Sequence, residues 1–130
     1  MRKMPLNLIT RFKQPVDPPS LVNILSRAIN SLGRKWDLFD VCVGQIGVIR
    51  TTEENVTLRF IGSATFSRGH DWNSGVICKI IQFDNPTPLY PAYNAIFYDA
   101  KPNLMGPDRK TYLRDVRLVK RAIEDAYNNS

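Results

Sequence analysis

Very little in this sequence is equipped for chemistry. Its 130 residues include one histidine and two cysteines, which fit no common zinc-ligand spacing, so neither a metal nor any other cofactor is expected. Neither a G-x-x-x-x-G-K nor a G-x-G-x-x-G run occurs, which removes the two familiar phosphate-cradling loops. No apolar stretch approaches the roughly 18 residues that a membrane-spanning helix needs, and the N-terminus lacks the apolar core and small-residue cleavage site of a signal peptide. Internal repeats, heptads and low-complexity tracts are absent as well. A soluble intracellular protein of the cytoplasm or nucleus is expected, built as a single globular domain over 1–130 with a flexible basic segment at 1–5.

The residues that could do chemistry are poorly arranged for it. His70 stands beside Asp71 and eight positions before Cys78, and a thiol nucleophile needs an adjacent base. Sequence neighbours normally point apart, however, and Cys78 falls in the apolar run "GVICKIIQF". Asp40, Glu53, Glu54, Asp84 and Asp99 flank predicted strands, as scattered acids often do without metal-dependent hydrolysis. A non-catalytic protein is the expectation. Cys42, in "VCVGQIGVI", and Cys78 both read as small buried hydrophobes, free and slow to react, with a disulfide between neighbouring strands as the alternative.

What is present is a globular composition, 43% apolar and 23% charged, with strongly patterned segments. "PLNLITRFK" alternates Leu6, Leu8, Thr10 and Phe12 against Asn7, Ile9, Arg11 and Lys13, a strand with one buried face. "QPVDPPS" cannot continue it, because three prolines remove backbone donors; Ser20 then stands as N-cap of a helix. Leu21, Leu25, Ala28 and Leu32, widened by Ile24 and Ile29, form its apolar stripe, and Gly33 its stop. Four β-branched runs follow: 41–49, 56–66, 76–83 and 94–98. The first pair is joined by "RTTEEN", and Gly44 and Gly47 mark a bulge or close approach. The order strand, helix, four strands, helix implies an α+β fold, a mostly antiparallel four- to five-stranded sheet packed with two amphipathic helices.

Charge is the other pattern. The net charge is +6, and it belongs to the ends: residues 1–35 hold seven basic side chains against Asp17 alone, and 101–130 hold seven against four acids. In "GPDRKTYLRDVRLVKRAIEDAY" a helical wheel of about 100° per residue gathers Lys110, Arg114, Arg117 and Arg121 on one side. Tyr112, Val116, Val119, Ile123 and Ala126 fall on the other. Pro107 and Asp108 suit the first turn. A basic row repeating every turn fits an extended polyanion better than a small ligand; a merely solvated helix face is the plain alternative. Lys120 belongs to the same candidate surface, and Arg2, Lys3, Arg11 and Lys13 of the N-terminal segment extend it if the first strand lies at the sheet edge beside the last helix.

Nucleic acid, contacted mainly through its phosphate backbone, is thus the expected partner. The contrasting expectation is an interaction module that self-associates or binds a protein or an anionic membrane surface. The rigid loop "PTPLYPAY" supports that second view, with Leu89, Tyr90 and Tyr93 as a preorganised apolar contact within 86–93; covering the core is its alternative role. In element order, helix, three antiparallel strands and helix, the chain resembles double-stranded-RNA-binding domains, though it has extra strands and lacks their usual basic cluster at the start of the last helix. Its small size, basic ends and missing catalytic signature are similar to those of viral matrix or accessory proteins.

Overall fold

A computed structural model describes residues 9–51, 56–68, 75–83, 93–99 and 107–129, with side chains described at 9–44, 59–68, 75–83, 93–98 and 113–129. The elements are β1 (Ile9–Phe12), α1 (Pro18–Leu32), β2 (Trp36–Thr51), β3 (Val56–Arg68), β4 (Val76–Phe83), β5 (Tyr93–Asp99) and α2 (Pro107–Asn128). All strand pairs are antiparallel, in the order β1-β5-β4-β3-β2. The expected α+β class is what forms, and the sheet, expected with four to five mostly antiparallel strands, has five, all antiparallel. β1 reaches the far edge because it pairs with β5, Ile9 opposite Ile96 and Phe12 opposite Tyr93.

Both helices lie on one face of this sheet, α1 against β2 and β3, α2 against β1, β4 and β5, and they touch each other. The shared core joins Leu21, Ile24, Leu25 and Ala28 of α1 to Val116, Val119, Ile123 and Ala126 of α2 over Phe66, Val76, Cys78, Ile80, Ala95 and Phe97 of the sheet. The register puts the latter in aligned rows, with Cys78 opposite both Ala64 and Phe97. Period two in the strands and 3.6 in the helices thus converge on the same layer.

The start of α1 differs from the expected one. Asp17, not Ser20, is the N-cap: it is extended at φ −83 and ψ 169, and its Oδ1 accepts the Ser20 N–H at 2.9 Å. Pro18 and Pro19 sit inside the first turn, where a missing N–H costs nothing because those donors have no partner within the helix. Hydrogen bonds from Ser20, side chain first and then backbone, hold the Asp17 carboxyl below its usual range. The predicted stop is observed, with Gly33 at φ 102 donating its N–H to Ile29.

β2 begins at Trp36, earlier than its apolar run, because Trp36 to Phe39 pair with Arg68 to Thr65 of β3. It is the other edge strand and it is irregular. Register shifts fall between Phe39 and Cys42 and between Val43 and Gly47, and positive φ occurs at Asp40 (52) and Gly44 (88). The bulge anticipated from the glycines is real. Aspartate is one of the few side chains that tolerate such a backbone.

The two cysteines are free. They lie on β2 and β4, which β3 separates, so the neighbouring-strand disulfide has no geometry. Their environments differ: Cys78 is buried, whereas Cys42 on the edge strand is half-buried. Burial pushes the Cys78 thiol up to about 12.

Two outcomes test this packing. A Cβ added at Gly62 would stand 2.4 Å from Leu21 Cδ2 and 2.7 Å from the Cys42 carbonyl oxygen, so α1 approaches the sheet there as closely as a glycine allows. Gly62→Ala is expected to cost about 1–3 kcal/mol in urea unfolding; a neutral result would mean that α1 does not seat on β3. A thiol reagent added to native protein is expected to label one cysteine, Cys42, quickly and Cys78 only on unfolding. Equal rates, fast or slow, would contradict the edge placement of β2.

Candidate anion-binding surface

The second helix sorts its side chains by what lies beneath them. Val116, Val119, Ile123 and Ala126 are buried against the sheet and α1, while Arg114, Arg117 and Arg121 are exposed. The wheel reading of this helix holds for every described position; the side chains of Lys110 and Tyr112 lie outside the described residues. Among the described residues, neither Arg117 nor Arg121 has an ion-pair partner. Leu118 stands among these arginines at 41% exposure, an apolar side chain left in water.

Lys120 belongs to a different neighbourhood. It turns toward β1 and pairs with Glu124 four residues on, and the same Glu124 Oε1 accepts the Thr10 hydroxyl at 3.2 Å. Around this contact runs a groove of about 280 Å³, with Thr10, Arg11 and Lys13 on the strand side and Lys120, Glu124 and Tyr127 on the helix side. Tyr127 lines the groove, and its hydroxyl donates to the Gln14 carbonyl and accepts the Gln14 N–H. The Tyr127 ring meets Phe12 at 4.7 Å between centroids. The first strand therefore does lie at the sheet edge beside the last helix, and Arg11 and Lys13 are exposed there. Arg2 and Lys3 lie outside the described residues.

Of the aromatic contact, Leu89 and Tyr90 lie outside the described residues, as do His70 and Asp71. Tyr93 is corrected by the fold: it opens β5, opposite Phe12, and is half-buried against the core. It belongs to the strand because it pairs with Phe12 of β1 on one side and Gln82 of β4 on the other. Tyr98 points to the sheet face away from the helices, where Lys79 Nζ lies 5.2 Å from its ring centroid. Burial first, and then the nearby Cys78, push its hydroxyl up to about 12.

A cluster at the opposite side of α2 went unanticipated. Asp115 is buried, and its Oδ1 takes Arg68 of β3 at 2.8 Å. The same guanidinium lies over Trp36, 5.1 Å from the ring centroid. The signal was present in the sequence, since on the wheel Asp115 falls among the apolar positions and a lone acid there needs a partner. Burial pushes the Asp115 carboxyl above its ordinary value, against the opposing pull of the Arg68 and Arg114 charges and the Arg68 hydrogen bond.

Among the described residues, no group of three His, Cys, Asp or Glu side chains is placed to hold a metal ion, and no helix is long and apolar enough to cross a membrane. The chain matches no protein-family model, no curated protein and no solved structure.

The Asp115 environment predicts a pH dependence. A carboxyl raised in the folded state binds its proton more tightly there than in the unfolded chain, whose value is about 4. Its stabilising contribution is therefore complete below that value and is lost as pH rises through it and through the raised folded value. Measured by urea unfolding, the parent should lose stability relative to Asp115→Asn as pH rises from about 3 to about 7. The opposite slope would mean that the Arg68 charge outweighs burial.

Proposed function

We propose that this protein is a non-catalytic domain, soluble in the cytoplasm or nucleus, that binds nucleic acid mainly through the charge of its phosphate backbone. The observation that carries the reading is the row Arg114, Arg117 and Arg121, exposed on the outer face of α2. Each is about one turn from the next, and their mutual repulsion is unfavourable in the free protein. A repeating polyanion relieves that repulsion and releases its condensed counterions, a gain in entropy that grows with each phosphate neutralised. Guanidinium groups also suit phosphate, because their fork of donors fits two of its oxygens. No base selectivity is implied, since backbone contacts position a protein without reading sequence.

One observation favours a second reading. Leu118 and the arginines around it would together suit an anionic membrane surface or a protein partner, with the leucine entering the apolar layer and the cations meeting headgroups. Self-association through the same face is the variant of this reading that needs no other partner.

Charge reversal separates the two. Arg117→Glu with Arg121→Glu should change unfolding stability by less than about 1 kcal/mol, because both side chains are exposed. Affinity for nucleic acid of any sequence should fall, and the dependence of log affinity on log salt should flatten by about one for each phosphate no longer neutralised. If vesicles of anionic lipid bind the parent and lose the variant while oligonucleotides bind neither, the membrane reading replaces this one. A variant that binds both like the parent at low salt would leave the row as a solvated face.

A further inference from the structure

The Arg68 guanidinium is a cation already fixed in place. Its Nη2 donates to Asp115 Oδ1 at 2.8 Å, and its central carbon lies over the Trp36 ring, 5.1 Å from the centroid. Trp36 is itself buried and stands opposite Arg68 in the β2–β3 pairing. The Arg68 side chain nevertheless remains 39% exposed, and among the described residues Asp115 is the one acceptor that its guanidinium meets. A guanidinium carries five N–H donors that form two forks, and each fork takes one of the two Nη2 hydrogens. Asp115 uses one of these hydrogens, so one fork stays whole on a side chain that reaches water.

A second cation stands beside the first. Arg114 is exposed, precedes Asp115 on α2, and its charge acts on the same carboxyl as that of Arg68. Two guanidinium groups thus flank one buried carboxylate, and the cluster keeps an excess of positive charge. Phosphate suits such a pair, because its several oxygens can meet two forks at once. An arginine free in water loses rotamer freedom when it grips a ligand, which weakens binding. Arg68 has lost that freedom on folding, held by Asp115 at its edge and Trp36 at its face. Arg114 also opens the exposed row that continues through Arg117 and Arg121, so the pair and the row form one run of cations.

We infer that Arg68 and Arg114 hold one backbone phosphate between them, with Asp115 and Trp36 positioning Arg68, so that the arginine row of α2 continues onto β3. The inference rests on the nucleic-acid reading above and adds to it a preorganised phosphate site on the strand beneath the helix. Asp115 has two opposed effects there: it orients the guanidinium and offsets part of its charge.

The test uses the full chain with oligothymidine, a DNA duplex of equal length and inorganic phosphate. Arg68→Gln with Asp115→Asn removes one charge of each sign, so the net charge stays at +6 while the fixed cation is lost. The salt slope of this double variant on the oligonucleotides should fall by about one. Asp115→Asn alone keeps an acceptor for Nη2 but removes the opposing charge, and should tighten binding roughly fivefold. An ion pair that only steadies α2 would leave binding unchanged in both variants. Inorganic phosphate should shift the indole N–H resonance of Trp36 in the parent and leave it in place in the double variant. Should the double variant fail to melt cooperatively, Asp115→Asn and the Trp36 resonance of the parent still decide. Parent-like binding by Asp115→Asn, together with a Trp36 resonance that phosphate does not move, would overturn the inference. It would leave the arginine row standing if the Arg117 and Arg121 reversal still abolishes binding. A phosphate shift at Trp36 without affinity for either oligonucleotide would instead overturn the nucleic-acid reading, and with it the backbone phosphate.

Discussion

Two helices share one face of one sheet, and that crowding governs the rest of the molecule. Leu21 can seat α1 over β3 only because Gly62 leaves its space empty, and α2 must then fit beside α1 above β4, β5 and β1. Each helix has a single apolar stripe to spend on this layer. The stripe of α2 points inward, so its arginines point outward. Neither the exposure of Arg114, Arg117 and Arg121 nor the neighbourhood of Lys120 is an independent choice; both follow from how the helix is rolled onto the sheet.

Polar contacts at both sides of α2 set that roll more narrowly than apolar packing would. On one side Arg68 reaches Asp115 and lies over Trp36; on the other Thr10 reaches Glu124, and Tyr127 bonds the backbone of Gln14. Arg27 of α1 also donates to the carbonyl of Asn129 just past the end of α2. Apolar surfaces can slide at little cost, whereas a buried carboxylate displaced from its guanidinium is left in an apolar medium with its charge uncompensated. Asp115 is therefore better understood as fixing the rotation of α2 than as adding stability. Its raised proton affinity agrees with this, because burial outweighs the arginine.

Edge strands carry the features most open to partners. β1 brings Arg11 and Lys13 to the side of α2, so that charges more than a hundred residues apart in the chain line one groove. β2, at the other edge, is broken by bulges at Asp40 and Gly44 and keeps Cys42 half-buried. Such irregularity blunts an edge against pairing with another chain. The two edges are thus treated differently: one is charged and grooved, the other bent.

The sequence by itself determined the local elements: the two apolar helix stripes, the alternation in β1 and β4, the glycine stop of α1 and the bulge near Gly44. Each is set by neighbours within about seven residues, which is the range over which periodicity and turn chemistry act. It also determined that the arginines of α2 share a face, because helical angle depends on sequence spacing alone. It misled at Asp17 and Ser20, where both residues can cap and only the entry of the chain chooses between them. At Trp36 the acids of "WDLFD" hid a strand that pairing with Arg68 creates, and Tyr93 read as loop until β5 met β1. Only tertiary structure decided that the first strand joins the far edge, that Thr10 of that strand meets Glu124 of α2, and that Asp115 has a partner on β3. Those are pairings between distant segments, fixed by which surfaces can be buried together, and no single window of sequence contains both partners.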